Sequence, residues 1–218
     1  MTTDDLYPFL ADARPARDDE LLADVARSTR QKVAEIGRVR AAVLDREGAG
    51  LAACAEAMAA RFAVGGRLHT FGNGGSSTDA LAVATLFTDP GPGRRRLPAR
   101  ALPTDVATLT ALANDVGFDV VFSRPLRGNG RPSDIAFGLS TSGGSANVLR
   151  GLDTAHEIGR LTVALAGGGG GALVEAHRER RLDHLFVMPS DSVHRIQEAQ
   201  TTVYQVLWEL VGDALAHS

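Results

Sequence analysis

Residues 135–139, Ile-Ala-Phe-Gly-Leu, form a short and almost wholly apolar run, and six small residues follow at once: Ser140, Thr141, Ser142, Gly143, Gly144 and Ser145. A run of this length suits a parallel strand covered on both faces. The residues from Ala146 onward read as a helix. A turn of this composition can aim several backbone N–H groups and hydroxyls at one point. The adjoining helix N-terminus adds about half a positive charge. That combination suits a phosphate or another small anion, although a Ser/Gly connector ending in an N-cap fits the same residues.

A second segment repeats the arrangement. Residues 67–71, Arg-Leu-His-Thr-Phe, read as a strand, Gly72-Asn73-Gly74-Gly75-Ser76-Ser77 as a turn, and the stretch through Phe87 as a helix. The glycines allow the backbone to come close to a ligand, while Asn73 and Ser76 supply polar tips. The segment is not the dinucleotide fingerprint, because position 77 is Ser. Nor is it a P-loop, which requires Gly-Lys-Ser/Thr at its end.

The rest of the chain supports an α/β reading. Strands are expected at 67–71, 99–103, 134–139, 161–166 and 183–188, with helices at 77–87, 105–113, 120–126 and 145–158 between them. The fold class is a doubly wound, five-stranded parallel sheet in flavodoxin-like order. In such sheets ligands sit beyond the carboxyl ends of the strands at the switch point, where both Ser/Gly turns fall. Residues 1–18 read as a lead-in and 19–218 as a single domain: N-terminal helices over 19–62, an α/β core over 67–190 and a C-terminal helix over 191–216. Gly48 and Gly50 are expected to divide the N-terminal region into two helices. The run Gly167–Gly171 is expected to be a flexible loop.

Composition narrows the function classes. The net charge is −3, against the basic face that nucleic-acid binding usually needs. The single cysteine, Cys54, excludes an intrachain disulfide and sits in an Ala-rich helical stretch. Neither a secretory h-region nor an apolar run of 18 residues is visible, so a cytoplasmic protein without a membrane span is expected.

Four segments together resemble the sugar isomerase (SIS) domain family, and within it the phosphoheptose isomerases. They are Gly72-Asn73-Gly74-Gly75-Ser76; Ala113-Asn114-Asp115-Val116-Gly117-Phe118-Asp119 with Val121-Phe122-Ser123-Arg124; Ser140 through Ser145; and Arg195-Ile196-Gln197-Glu198. The resemblance spans about residues 20 to 215. It implies that Ser140, Thr141, Ser142 and Ser145 hold a sugar phosphate. It also implies that Asn73, Ser76, Asp105 and Gln197 contact the sugar, and that the chain forms a homotetramer. Asp105 reads equally as an N-cap for the helix after it.

The same resemblance exposes a departure. Family enzymes carry His and Glu on the first helix after the Gly/Ser turn, and Gln and His on the last helix. Those groups surround the reacting carbons and can hold zinc. The corresponding residues here are Ala82, Leu86, Gln197 and Gln200. A methyl, an isobutyl and two amides supply neither a general base nor a usual zinc donor set, so no metal or other cofactor is expected. His194 and Asp79 are the remaining catalytic candidates, Asp79 being equally a dipole-favoured carboxylate in a first helical turn. His69 reads as a core residue, and His156, His177 and His184 as surface or packing residues.

Two functions stay open. One is a non-catalytic phosphosugar-binding or protein-interaction module, similar to the family's replication-initiator-associating branch. The other is an isomerase with relocated catalytic groups.

Overall fold

Short apolar runs separated by glycine-containing turns leave the chain few ways to bury its strands, and it takes the parallel one. The computed structural model describes residues 18–217. The lead-in at residues 1–17 lies outside them. The elements run α1 (Asp18–Ala63), β1 (Leu68–Gly72), α2 (Gly75–Thr88), β2 (Ala99–Ala101), α3 (Val106–Asp115), α4 (Ser123–Asn129), β3 (Ile135–Ser140), α5 (Ala146–Glu157), β4 (Leu161–Gly167), α6 (Gly171–Arg178), β5 (His184–Met188) and α7 (Val193–Ala216). The sheet is wholly parallel, in the order β2-β1-β3-β4-β5. All five residues of β1, all six of β3 and all seven of β4 are buried, as expected for strands covered by helices on both faces.

Two compact units divide the chain, residues 1–38 and 39–218. The described part of the first is a stretch of α1 on which Leu21, Leu22, Val25 and Val33 are exposed. The second unit holds the sheet, the remaining helices and the candidate site.

Two expectations fail here. The N-terminal region is one helix, not two, and it passes through both Gly48 and Gly50. A mid-helix glycine costs about 1 kcal/mol relative to alanine. Burial of Leu51, Cys54, Met58 and Phe62 just beyond offsets that cost. The glycine run at 167–171 is likewise not a free loop: Gly167 ends β4 and Gly171 begins α6, a helix the sequence reading omitted.

The core is built on aromatic contacts and on carboxylates at the amino ends of strands. Phe71 on β1 meets Phe122 with ring centroids 5.3 Å apart, and Phe62 stacks on Phe87 at 5.5 Å. Asp134 accepts from the backbone N–H groups of Arg67 and Arg131, each at 2.9 Å, and so ties the starts of β1 and β3 together. Asp183 does the same for β4, accepting from the Thr162 N–H and hydroxyl at 2.8 Å. The Cys54 thiol, buried, is pushed up to about 12. It is a packing residue.

His69 lies in β1 and is buried, with Nδ1 lacking a hydrogen-bond partner. Burial, reinforced by the charge of Arg160, pushes its pKa down to about 4 from 6.5. The fold therefore holds the ring neutral while the unfolded chain protonates it. This contribution is fully present above pH 6.5 and is lost as pH falls from there toward 4. By pH 4 about 3 kcal/mol of stability should be gone, at roughly 1.36 kcal/mol per pKa unit. Denaturant melts between pH 7 and 4 test this: His69→Gln should show a shallower acid-side decline than the parent protein, and equal slopes would clear His69.

Candidate functional site

The site follows from register. Gly72, the last residue of β1, pairs with Leu139 of β3, so the two strands end level with each other at the point where strand order reverses. Their turns emerge side by side. Gly72 must be glycine for this, because a Cβ there would fall 2.8 Å from the Leu139 carbonyl oxygen.

The turn after β3 is held by its own polar groups. Gly143 donates its N–H to the Ser140 carbonyl at 3.1 Å and adopts φ 64°, in the left-handed region. The hydroxyls of Ser140 and Ser145 are 3.0 Å apart, and Ser142 Oγ accepts from the Gly144 N–H at 3.2 Å. Ser145 is the N-cap residue of α5, yet its side chain does not cap the helix. The first turn of α5 carries no acidic residue either. The turn after β1 has the same character: Gly74 precedes α2 with φ 55°, there is no side-chain cap, and the first helical turn lacks an acid. Two helix N-termini thus reach one crevice with their leading N–H groups uncapped by side chains, which is the electrostatic arrangement that favours an anion.

Two features that sequence reasoning missed brace this crevice. The Asn73 amide donates to Asn147 Oδ1 at 2.8 Å, and the Asn147 amide donates back to Asn73 Oδ1 at 2.9 Å. Asn147 is the second residue of α5 and is buried. The signal available in the sequence was a polar residue among Ala146, Val148 and Leu149. The second feature is the glycine run. A Cβ at Gly143 would lie 2.0 Å from the Gly170 carbonyl oxygen, and one at Gly171 would lie 2.6 Å from that of Ser142. Leu173 near the start of α6 donates to the Gly143 carbonyl at 3.2 Å. The glycines are there because two backbones touch.

The remaining candidates divide. Ser76 is buried at the start of α2, and Thr141 is half-buried in the phosphate-type turn. Gln197 extends from α7 over Gly75, where an added Cβ would sit 2.2 Å from its Nε2, and its amide lies 3.4 Å from Asp79 Oδ2. The Tyr204 hydroxyl faces the same carboxylate and reaches Thr201 Oγ1 at 3.4 Å. Asp79 is therefore not the first-turn, dipole-stabilised carboxylate expected. Helix α2 begins at Gly75, and burial raises the Asp79 pKa against the opposing hydrogen bonds from Gln197 and Tyr204. Asp105 acts as the N-cap of α3, accepting from the Thr108 N–H at 3.1 Å and from Arg100 at 3.0 Å. That backbone bond, first among several, holds its carboxyl below the usual range. His194 stands exposed in the first turn of α7.

This geometry, two Gly/Ser turns at the switch point of a five-stranded parallel sheet with a long last helix reaching back over them, defines a class. A model of the SIS domain matches residues 33–167, and the chain belongs to that family. Its similarity lies with the phosphoheptose isomerases. It is 43% identical over 151 residues to that of Aquifex aeolicus, covering 68% of this chain and 76% of the relative. To the Chlorobaculum tepidum protein it is 43% identical over 184 residues, covering 83% and 86%. The solved phosphoheptose isomerase of Neisseria gonorrhoeae superposes with a TM-score of 0.79 at 32% identity, covering 87% of this chain and 99% of that one.

The zinc that the family resemblance implies does not fit these residues. Ala82 and Leu86 are half-buried on α2 and offer only carbon. Gln197 is engaged with Asp79, and Gln200 is wholly buried with both amide atoms unpartnered. Among the described residues, no three His, Cys, Asp or Glu side chains converge as a metal site. Zinc in proteins is held chiefly by Cys, His, Asp or Glu, and two hydrocarbon side chains with two amides do not make up such a donor set.

The backbone contact between Gly143 and Gly170 generates a prediction. Gly143→Ala forces a side chain into the left-handed region, at roughly 1–2 kcal/mol, and against a carbonyl. It should lower unfolding free energy by at least about 2 kcal/mol in urea titrations. Gly144→Ala, whose Cβ would have Ser142 Oγ as its nearest neighbour at 3.8 Å, should change it by less than about 0.5 kcal/mol.

Proposed function

We propose that this protein binds a sugar phosphate in the crevice between the two turns and serves as a non-catalytic binding or regulatory module. The observation that carries the reading is the pair of acid-free helix N-termini, uncapped by side chains, at the level ends of β1 and β3. Ser140, Thr141, Ser142 and Ser145 hold the phosphate with hydroxyls and N–H groups. Asn73, Ser76, Asp105 and Gln197 face the sugar. The names of the relatives point to a heptose phosphate as the first ligand to try.

The absence of catalysis rests on chemistry. Moving a proton between adjacent sugar carbons needs a base and an acid, and Ala82, Leu86, Gln197 and Gln200 provide neither. Scaffold behaviour implies a protein partner, and no helix among the described residues is long and apolar enough to cross a membrane. We place the protein in the cytoplasm, without direct nucleic-acid contact.

Thermal shift measures the binding. A sugar phosphate at 100 times its dissociation constant should stabilise the fold by about 2.7 kcal/mol, and the double variant Ser142→Ala, Ser145→Ala should abolish the gain. If pentose, hexose and heptose phosphates at millimolar concentration all leave the melting temperature unmoved, the reading is wrong.

A second reading has one observation in its favour. Asp79, its pKa raised by burial and its carboxylate joined to Gln197, is suited to exchange a proton, so relocated groups could run an isomerisation. His194 is the other group such a mechanism would draw on. The expected result with sedoheptulose 7-phosphate is turnover at least about 100-fold below that of a family enzyme, the cost of one missing acid or base. Turnover on a par with such an enzyme, lost in Asp79→Asn, would establish the second reading instead.

The assembly we propose is a homotetramer. Leu21, Leu22, Val25 and Val33 are exposed on the first unit. Within the second, an apolar groove of about 210 Å³ runs between Leu44 and Leu51 on one side and Val203 and Val206 on the other. Closed symmetry is the common way to cover such faces. Light scattering should return about four times 22.9 kDa, and Leu44→Glu with Val206→Glu should reduce it. A parent protein that scatters as a monomer would overturn the assembly.

A further inference from the structure

Three features of the molecule are left without a role by the reading above: a cavity where Arg94 lies over Trp208, the buried Arg160, and the reciprocal amide pair between the two turns. Arg94 is satisfied by the ring it covers, 4.2 Å from the centroid, at the negative end of α7. Arg160 lies at the amino end of β4, away from the crevice, where it donates to the Leu126 carbonyl of α4 and feels the charge of Asp134, its Nε and Nη1 being without a partner. Of the three, the amide pair alone joins the two turns of the candidate site.

Asn147 occupies the second position of α5, where a side chain can approach the anion that the helix N-terminus attracts. It turns instead across the crevice to Asn73, which belongs to the other turn and leads into α2. Two hydrogen bonds of 2.8 and 2.9 Å close a ring between the amides, and Asn147 is 3% exposed. In that ring each amide uses one N–H and its oxygen, so the orientation of one dictates that of the other. Asn73 follows Gly72 and precedes Gly74, which has φ 55° and open space where a Cβ would stand. The Asn73 and Gly74 carbonyls accept from Ser76 and Ser77, each at 3.0 Å, which holds the backbone but leaves the side-chain torsions of Asn73 to its partner. That partner is buried on the rigid helix.

We propose that Asn147 is a positioning residue: it fixes the Asn73 amide for the sugar end of the ligand, and so makes the site select a sugar phosphate over phosphate alone. Asn147 touches no ligand. It acts through Asn73, and the phosphate end, held by Ser140, Ser142 and Ser145, is independent of it. This inference rests on the phosphosugar reading above.

Calorimetric titration with two probes, inorganic phosphate and sedoheptulose 7-phosphate, separates the terms. In Asn147→Ala the dissociation constant for inorganic phosphate should stay within twofold of the parent's, while that for the sugar phosphate should rise about tenfold. The same change should follow Asn73→Ala, and the double variant should be no worse than either single one, because both remove one interaction. In 15N spectra of the ligand-free protein, the Asn73 side-chain amide should shift in Asn147→Ala. That measurement reads the coupling without any ligand, and Asn147→Ser serves if the alanine variant folds poorly. Equal weakening of both probes, an unmoved Asn73 amide, or additive losses in the double variant would overturn the proposal. A parent protein that binds neither probe would instead remove the phosphosugar reading on which it stands, and one that binds only inorganic phosphate would overturn both.

Discussion

The level ending of β1 and β3 is the constraint on which everything else here depends. Gly72 opposite Leu139 places one turn at the shoulder of the other, and the reversal of strand order sends α2 and α5 away on opposite faces. Two helix N-termini then share one crevice without clashing. A register shift of one residue would carry every side chain of a strand to the other face and separate the turns. Buried strands resist that shift, since all the residues of β1 and β3 are packed on both sides.

The crevice this makes is edged by the Ser140, Ser142 and Ser145 hydroxyls and by the backbone of two turns. Hydroxyls, N–H groups and helix dipoles supply the positive potential, and such partial charges are already oriented before a ligand arrives. The glycine run gives the arrangement its stiffness. Gly143 and Gly171 press against backbone where any side chain would collide, so the turn is supported from behind by α6. A binding surface of this kind needs no acid or base.

Much of the fold was legible in the chain. Each strand lies within a few residues of its expected place, and β3, β4 and β5 were the plainest, because a parallel strand covered on both faces writes itself as a nearly continuous apolar segment. The turns were legible for a related reason: clusters of Gly and Ser between such segments have few other uses. Where reading failed, distant packing had decided the matter. Gly48 and Gly50 looked like a helix break, yet burial of Leu51, Met58 and Phe62 carries α1 through them. Gly167–Gly171 looked like slack chain, yet its composition answers to Ser142 and Gly143, two dozen or more residues earlier.

By itself, then, the sequence determined the alternation of strands and helices and the two Gly/Ser turns at the strand ends. Those are matters of residue type and local spacing. Only the tertiary structure decided that Asn73 meets Asn147, that Gln197 reaches Asp79 across 118 positions of chain, and that burial rather than a helix dipole governs the Asp79 carboxyl. The reason is physical: side-chain partnership and desolvation depend on which surfaces are brought within a few ångströms, and local pattern carries no record of that distance.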